Sequence, residues 1–117
     1  VFVENNKKAC TCIEDNIHFT KFDRETKLLQ SDVISAIRSM EGKYRFDVIF
    51  MDPPYKHEYE KEVLECLKDS SILKEDTLII VEASLDTSFD YLSELGFTLK
   101  KLKTYKTNVH AFITKAE

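Results

Sequence analysis

The sequence predicts an α/β fold, a mostly parallel sheet with helices on both faces, finished by an antiparallel hairpin. Three observations carry this. Short apolar runs alternate with amphipathic helical stretches through residues 1–95, the pattern of repeated strand–helix units with right-handed crossovers. One run, Val48-Ile49-Phe50, is apolar without alternation, as expected of a central strand covered on both faces. Two strand-like runs, Phe97 to Lys103 and Val109 to Thr114, then follow each other across a short polar link, the signature of a hairpin.

Val1-Phe2-Val3 is the first short strand, ending at Glu4, and Asn5 or Asn6 caps a helix striped with Ala9, Cys12, Ile13 and Ile17. Leu28-Leu29, within Thr26 to Gln30, is the second strand. Asp32 then caps a helix with Val33, Ala36, Ile37 and Met40 inward, closed by Gly42. Phe46 to Met51 forms the central strand. The segment from Glu58 to Leu67 puts Tyr59, Val63, Leu64 and Leu67 on one helical stripe, and Thr77 to Val81 is the next fully buried strand. Phe89, Leu92 and Leu95 mark a short helix stopped by Gly96.

At 117 residues, the length predicts a single globular unit, 1–117, and excludes two full domains. With 43% hydrophobic and 32% charged residues and a net charge of −4, the composition is that of a folded chain rather than a disordered one. No stretch reaches the ~18 apolar residues of a membrane span, and the first residues are not a signal peptide, so a cytoplasmic location is expected. Cys10, Cys12 and Cys66 are odd in number and sit in helical contexts, which predicts reduced thiols. The Cys-x-Cys pair lacks the partners of a metal site, and no metal is expected. Val1 in place of an initiator Met, already within a strand, predicts a chain that begins partway through its domain. Charge is uneven: residues 96–117 hold five lysines against Glu117, a balance of +4, which leaves −8 for residues 1–95.

In an open parallel sheet, ligands bind beyond the carboxyl ends of the strands, where this sequence places Glu4, Asp32 and Asp52. A carboxylate such as Glu4 suits ribose hydroxyls, although it equally suits a solvated strand end. Asp32 is explained by helix capping alone. Asp52-Pro53-Pro54-Tyr55 is more specific. Two prolines directly after a buried strand stiffen the backbone and remove two amide donors. An Asp carboxylate and a Pro53 carbonyl side by side can then accept both hydrogens of a planar amino group, while Tyr55 offers a face on which a flat base can stack. Such a grip can aim the lone pair of a weakly nucleophilic exocyclic amine at an electrophilic methyl group, with orientation supplying much of the rate. His18 and His110 lie in contexts without evident partners and read as incidental. His57 reads as a solvated loop residue.

With these residues in order, the chain resembles the class I S-adenosylmethionine-dependent methyltransferases that modify amino nitrogens. The resemblance rests on Phe46-Asp47-Val48-Ile49-Phe50-Met51-Asp52-Pro53-Pro54-Tyr55, preceded by Val1-Phe2-Val3-Glu4-Asn5-Asn6-Lys7 and Gln30-Ser31-Asp32 and followed by Leu78-Ile79-Ile80-Val81-Glu82. It is most similar to the bacterial enzymes that methylate guanine N2 in small-subunit ribosomal RNA. The resemblance implies a Rossmann-like methyltransferase sheet, S-adenosylmethionine as cofactor, and ribosomal RNA or a partly assembled small subunit as partner. It implies that Glu4 binds the cofactor ribose with Asn5 beside it, that Asp32 and Val33 contact its adenine, and that Asp52, Pro53, Pro54 and Tyr55 hold the target amine, Asp52 also bordering the cofactor. Tyr105-Lys106-Thr107 stands where the family carries a Tyr-Gly-x-Thr turn and lacks its glycine. The family's first strand and glycine-rich loop do not occur in this sequence. The resemblance therefore implies negligible activity for the 117 residues alone, and a sheet gap through which two copies would be able to dimerise. Adenine N6 in DNA suits the same grip, as does a glutamine amide, although glutamine-modifying relatives usually carry Asn at the first motif position. A non-catalytic doubly wound module is the alternative of a different class.

Overall fold

The computed structural model describes residues 1–52 and 59–116, with only the backbone of Tyr59. The contacts of the described residues gather into two compact units, Val1–Met40 and Glu41–Glu117. Each described strand finds its ladder partners within its own unit. No helix among the described residues is long and apolar enough to cross a membrane.

The first unit contains β1 (Phe2–Glu4), α1 (Lys7–Thr20), β2 (Leu28–Gln30) and α2 (Val33–Met40). β1 and β2 pair in parallel, Phe2 opposite Leu28 and Glu4 opposite Gln30, so both strands end on the same side. Asn6 is the cap of α1, its side-chain oxygen accepting the Ala9 N–H at 3.0 Å. The helix closes on Lys21, whose φ of 63° is left-handed. The Lys21 N–H reaches the His18 carbonyl, and the Phe22 N–H reaches that of Ile17, which satisfies carbonyls the helix end would orphan. The buried stripe of α1 runs through Cys10, not Cys12, which is exposed. At 3.6 residues per turn, residue 10 joins 13 and 17 on the inward face, and residue 12 falls outside it. In α2, Ala36, Ile37 and Met40 are buried, as their spacing predicts.

The second unit contains β3 (Phe46–Met51), α3 (Tyr59–Lys68), β4 (Leu73–Ser84), a 3₁₀ turn (Asp90–Leu92), β5 (Phe97–Thr104) and β6 (Asn108–Lys115). Its sheet has the order β3-β4-β6-β5. β3 and β4 are parallel, and β6 is antiparallel to both neighbours. The hairpin thus forms as the sequence predicts, with β6 inside and β5 outside. The Tyr105 N–H bonds the Asn108 carbonyl at 2.8 Å. No residue of the 105–107 link takes a positive φ, so this turn needs no glycine.

One sheet face is well packed. Ile79, Val81 and Ala83 of β4 lie beside Ile113, Ala111 and Val109 of β6, and all six are buried. Val63, Leu64 and Leu67 of α3 are buried too. The opposite face is open by comparison. Val48 and Phe50 of β3 are 55% and 57% exposed, and Leu78 and Ile80 are only half-buried. The expectation of a β3 covered on both faces is therefore not met among the described residues, and β4 is buried on alternate positions rather than throughout. The short helix expected at 89–95 is a single 3₁₀ turn, with Phe89 and Leu92 buried. Gly96, at φ 84°, turns the chain into β5.

Candidate functional site

In the first unit, the parallel register of β1 and β2 brings Glu4, Asn5, Asp32 and Val33 to the same carboxyl end. Glu4 is half-buried. One of its carboxylate oxygens accepts the Asn5 N–H at 3.1 Å, and a carboxylate has several lone-pair sites, so acceptor capacity remains for hydroxyl donors. The Glu4 carbonyl accepts the Ser31 N–H at 3.0 Å and the Cys10 thiol at 3.3 Å, which ties the ends of β1 and β2 to α1. Asp32 is the cap of α2, accepting the Ser35 N–H at 2.9 Å. The Ser35 bonds hold its carboxyl below the usual carboxylate range. Val33 is half-buried and Asn5 exposed.

In the second unit, Asp52 stands directly after β3, exposed at its carboxyl end. Its pKa is nonetheless raised, first by partial desolvation and then by the Glu82 carboxylate, with His110 opposing. The strand register explains this neighbourhood. Phe50 pairs with Ile80, Ile80 with Phe112, and Glu82 with His110. Strand alternation then sends Phe50, Asp52, Glu82 and His110 to one face. Glu82 accepts a hydrogen bond from the Asn108 side-chain amide, and the His110 Nε2 faces its other oxygen at 3.9 Å. Around His110 lie the Tyr105 ring, centroids 4.7 Å apart, and the Phe50 ring, edge-on at 6.3 Å. Lys103 Nζ sits 5.3 Å from the Tyr105 ring centre.

His110 is therefore not incidental: it bridges the carboxylates to an aromatic cluster. His18 also has a partner, Asp23 at 3.4 Å, on an exposed surface. Glu82, Asn108 and His110 were missed as site residues because they meet Asp52 only through the β4–β6 register. The available signal was parity, since a β6 residue paired with the acid ending the Leu78–Val81 run must share its face. Pro53, Pro54 and Tyr55, together with His57, lie outside the described residues, so of the four residues expected to hold a target amine only Asp52 is described. Among the described residues, no group of three or more His, Cys, Asp or Glu could hold a metal ion.

Taken by itself, the first unit presents carboxylate acceptors at the ends of β1 and β2; the second presents a carboxylate and aromatic cluster beside Asp52. Known proteins share this framework. Over 104 residues, the chain is 25% identical to ribosomal RNA small subunit methyltransferase D of Haemophilus influenzae, covering 88% of this chain and 53% of that protein. The chain spans about half the length of the curated relatives it matches. A solved conserved hypothetical protein of Streptococcus pyogenes superposes with a TM-score of 0.85 at 28% identity, covering 97% of this chain and 69% of that one. A ribosomal protein L11 methylase of Lactobacillus delbrueckii superposes with a TM-score of 0.78 at 16% identity, covering 98% and 56%. The fold is thus that of the methyltransferase-type α/β proteins. The profile of one family, described as conserved hypothetical protein 95, matches residues 1–113, and the chain belongs to that family.

Proposed function

We propose that the chain is the target-binding and part of the cofactor-binding portion of an S-adenosylmethionine-dependent ribosomal RNA methyltransferase, acting on guanine N2. The observation that carries this reading is the convergence of Asp52, Glu82 and His110 on one face at the carboxyl end of the parallel strands, in a chain whose Haemophilus relative is named for small-subunit ribosomal RNA. The residues present suit the cofactor. The Glu4 carboxylate has free acceptor capacity where ribose hydroxyls would lie, and Asp32 and Val33 border the same strand ends. When bound, S-adenosylmethionine supplies an electrophilic methyl carbon.

The chain's own residues would act on the target base. Asp52 accepts a hydrogen from the exocyclic amine, with the Pro53 carbonyl as second acceptor, and the two fix its lone pair in direction. Tyr55 stacks against the base plane. Glu82, held by Asn108, keeps a second negative charge near Asp52 and so raises its proton affinity, which suits a group that must accept hydrogen from the amine as the nitrogen gains a substituent.

The test is to incubate the full-length protein with methyl-labelled S-adenosylmethionine and naked small-subunit ribosomal RNA, partly assembled subunits or DNA. Label at guanine N2 of RNA is expected, with Asp52→Ala lowering the rate by about 10²-fold or more. Transfer to DNA alone, or full activity in Asp52→Ala, would overturn the reading.

A further inference from the structure

The second unit has another concave site, at the end of the sheet away from Asp52. A cavity of about 780 Å³ opens where the chain enters β3 and β4. Its cationic lining is Lys43, Arg45, Lys68 and Lys115. These come from three places in the chain: the approach to β3, the end of α3 and the end of β6. None of the four forms a salt bridge with a described carboxylate. Lys74 nearby, by contrast, is paired with Asp47. With Glu41 and Asp69 also in the lining, the hollow keeps an excess of two positive charges in a chain of net charge −4.

The wall is built rather than incidental. The Glu41 carboxylate accepts both the Ser71 N–H at 2.9 Å and the Ser71 hydroxyl at 2.7 Å, and Ser71 Oγ accepts the Gly42 N–H at 2.7 Å. These bonds lock the approach to β3 against the loop after α3. Hydrogen bonds from Ser70 and Ser71 hold the Glu41 carboxyl below its usual range, so it stays ionised and fixed to the loop. Asp69 is the other acid of the lining. Tyr44 adds a flat wall, its ring stacked on Phe46 at 5.6 Å and 6°.

From this juxtaposition of a loop-locked hollow, four cations outside any described salt bridge and an aromatic wall, we infer that the cavity grips the sugar–phosphate backbone of RNA. The inference rests on the RNA reading above and extends it to a second contact point. β3 has six residues, so the cavity lies roughly 20 Å from Asp52 at 3.3 Å per residue. That is several nucleotides of single strand away from the base being modified. Phosphate contacts of this kind fix register and supply affinity without reading sequence.

The experiment measures binding of a labelled single-stranded RNA oligonucleotide to the full-length protein across a salt series. The variants are Lys43→Gln with Arg45→Gln, and separately Lys68→Gln with Lys115→Gln. Lys21→Gln with Arg24→Gln is the control for general charge loss. Each cavity pair is expected to weaken RNA binding by about 10-fold and to flatten the log–log salt slope by about 1.4, as two lost phosphate contacts on a single strand would. Melting temperature and S-adenosylmethionine affinity should stay as in the parent. Unchanged RNA affinity in both cavity pairs, or an equal loss in the control, would overturn the inference while leaving methyl transfer to RNA intact. A parent protein that methylates DNA but neither binds nor methylates RNA would overturn both.

Discussion

At Asp52, desolvation and then the Glu82 charge make ionisation less favourable than for an ordinary Asp. A carboxyl whose folded pKa is raised contributes stability that is fully present below its unfolded pKa, near 3.8 for Asp, and lost as pH rises through the folded value. At neutral pH the ionised group therefore works against folding. Asp52→Asn should melt higher than the parent at pH 7, with the gap closing below pH 4. Thermal melts of the two proteins at these pH values check this, and an Asp52→Asn melting temperature below the parent's at pH 7 would show the carboxylate to be stabilising. A carboxylate held at such a cost to stability is consistent with the role proposed for Asp52, since activity and stability make opposite demands on such a group. Asp52 itself was legible from its place after an apolar run. Its partners were not, because Glu82 and His110 are 28 positions apart in sequence and meet only through antiparallel pairing.

Among the elements, the two helix caps of the first unit differ in chemistry and so in response to acid. Asn6 caps α1 with a neutral amide, and Asn6→Ala should cost about 1 kcal/mol at any pH. Asp32 caps α2 with a carboxylate whose pKa is lowered. Its contribution is present above the unfolded pKa and fades as pH falls through the depressed value. Urea titrations at pH 7 and pH 3 should find the Asp32→Ala penalty shrinking in acid and the Asn6→Ala penalty constant. In the second unit, Ile79 is fully buried between β3 and β6, and Ile79→Ala should destabilise by about 2–5 kcal/mol, read from the shift in urea midpoint. Strand and helix order was legible because each apolar run is bounded by a cap or a glycine. Burial was less so. Val48-Ile49-Phe50 reads as a doubly covered strand, yet Val48 and Phe50 are exposed, since an apolar run records what a face can bury and not what lies against it. The stripe expected at Cys12 failed by two residues, the buried thiol being Cys10, for a related reason: small residues such as Ala9, Cys10 and Cys12 constrain phase weakly.

For the whole molecule, the two units differ in how much they bury. The described core of Val1–Met40 is Cys10, Ala36, Ile37 and Met40, whereas the second unit packs β4, β6 and α3 around a continuous apolar face. A unit near 40 residues has little interior to stabilise it. Amide hydrogen exchange should therefore be faster throughout β1, α1, β2 and α2 than in β4 and β6, and equal protection in both would refute the difference. The strand order also has a consequence for biosynthesis. β6 is made after β5 yet lies between it and β4, so a nascent chain halted at Thr104 would hold a β5 with no ladder to join. Translation must run through Lys115 before the earlier strand can dock.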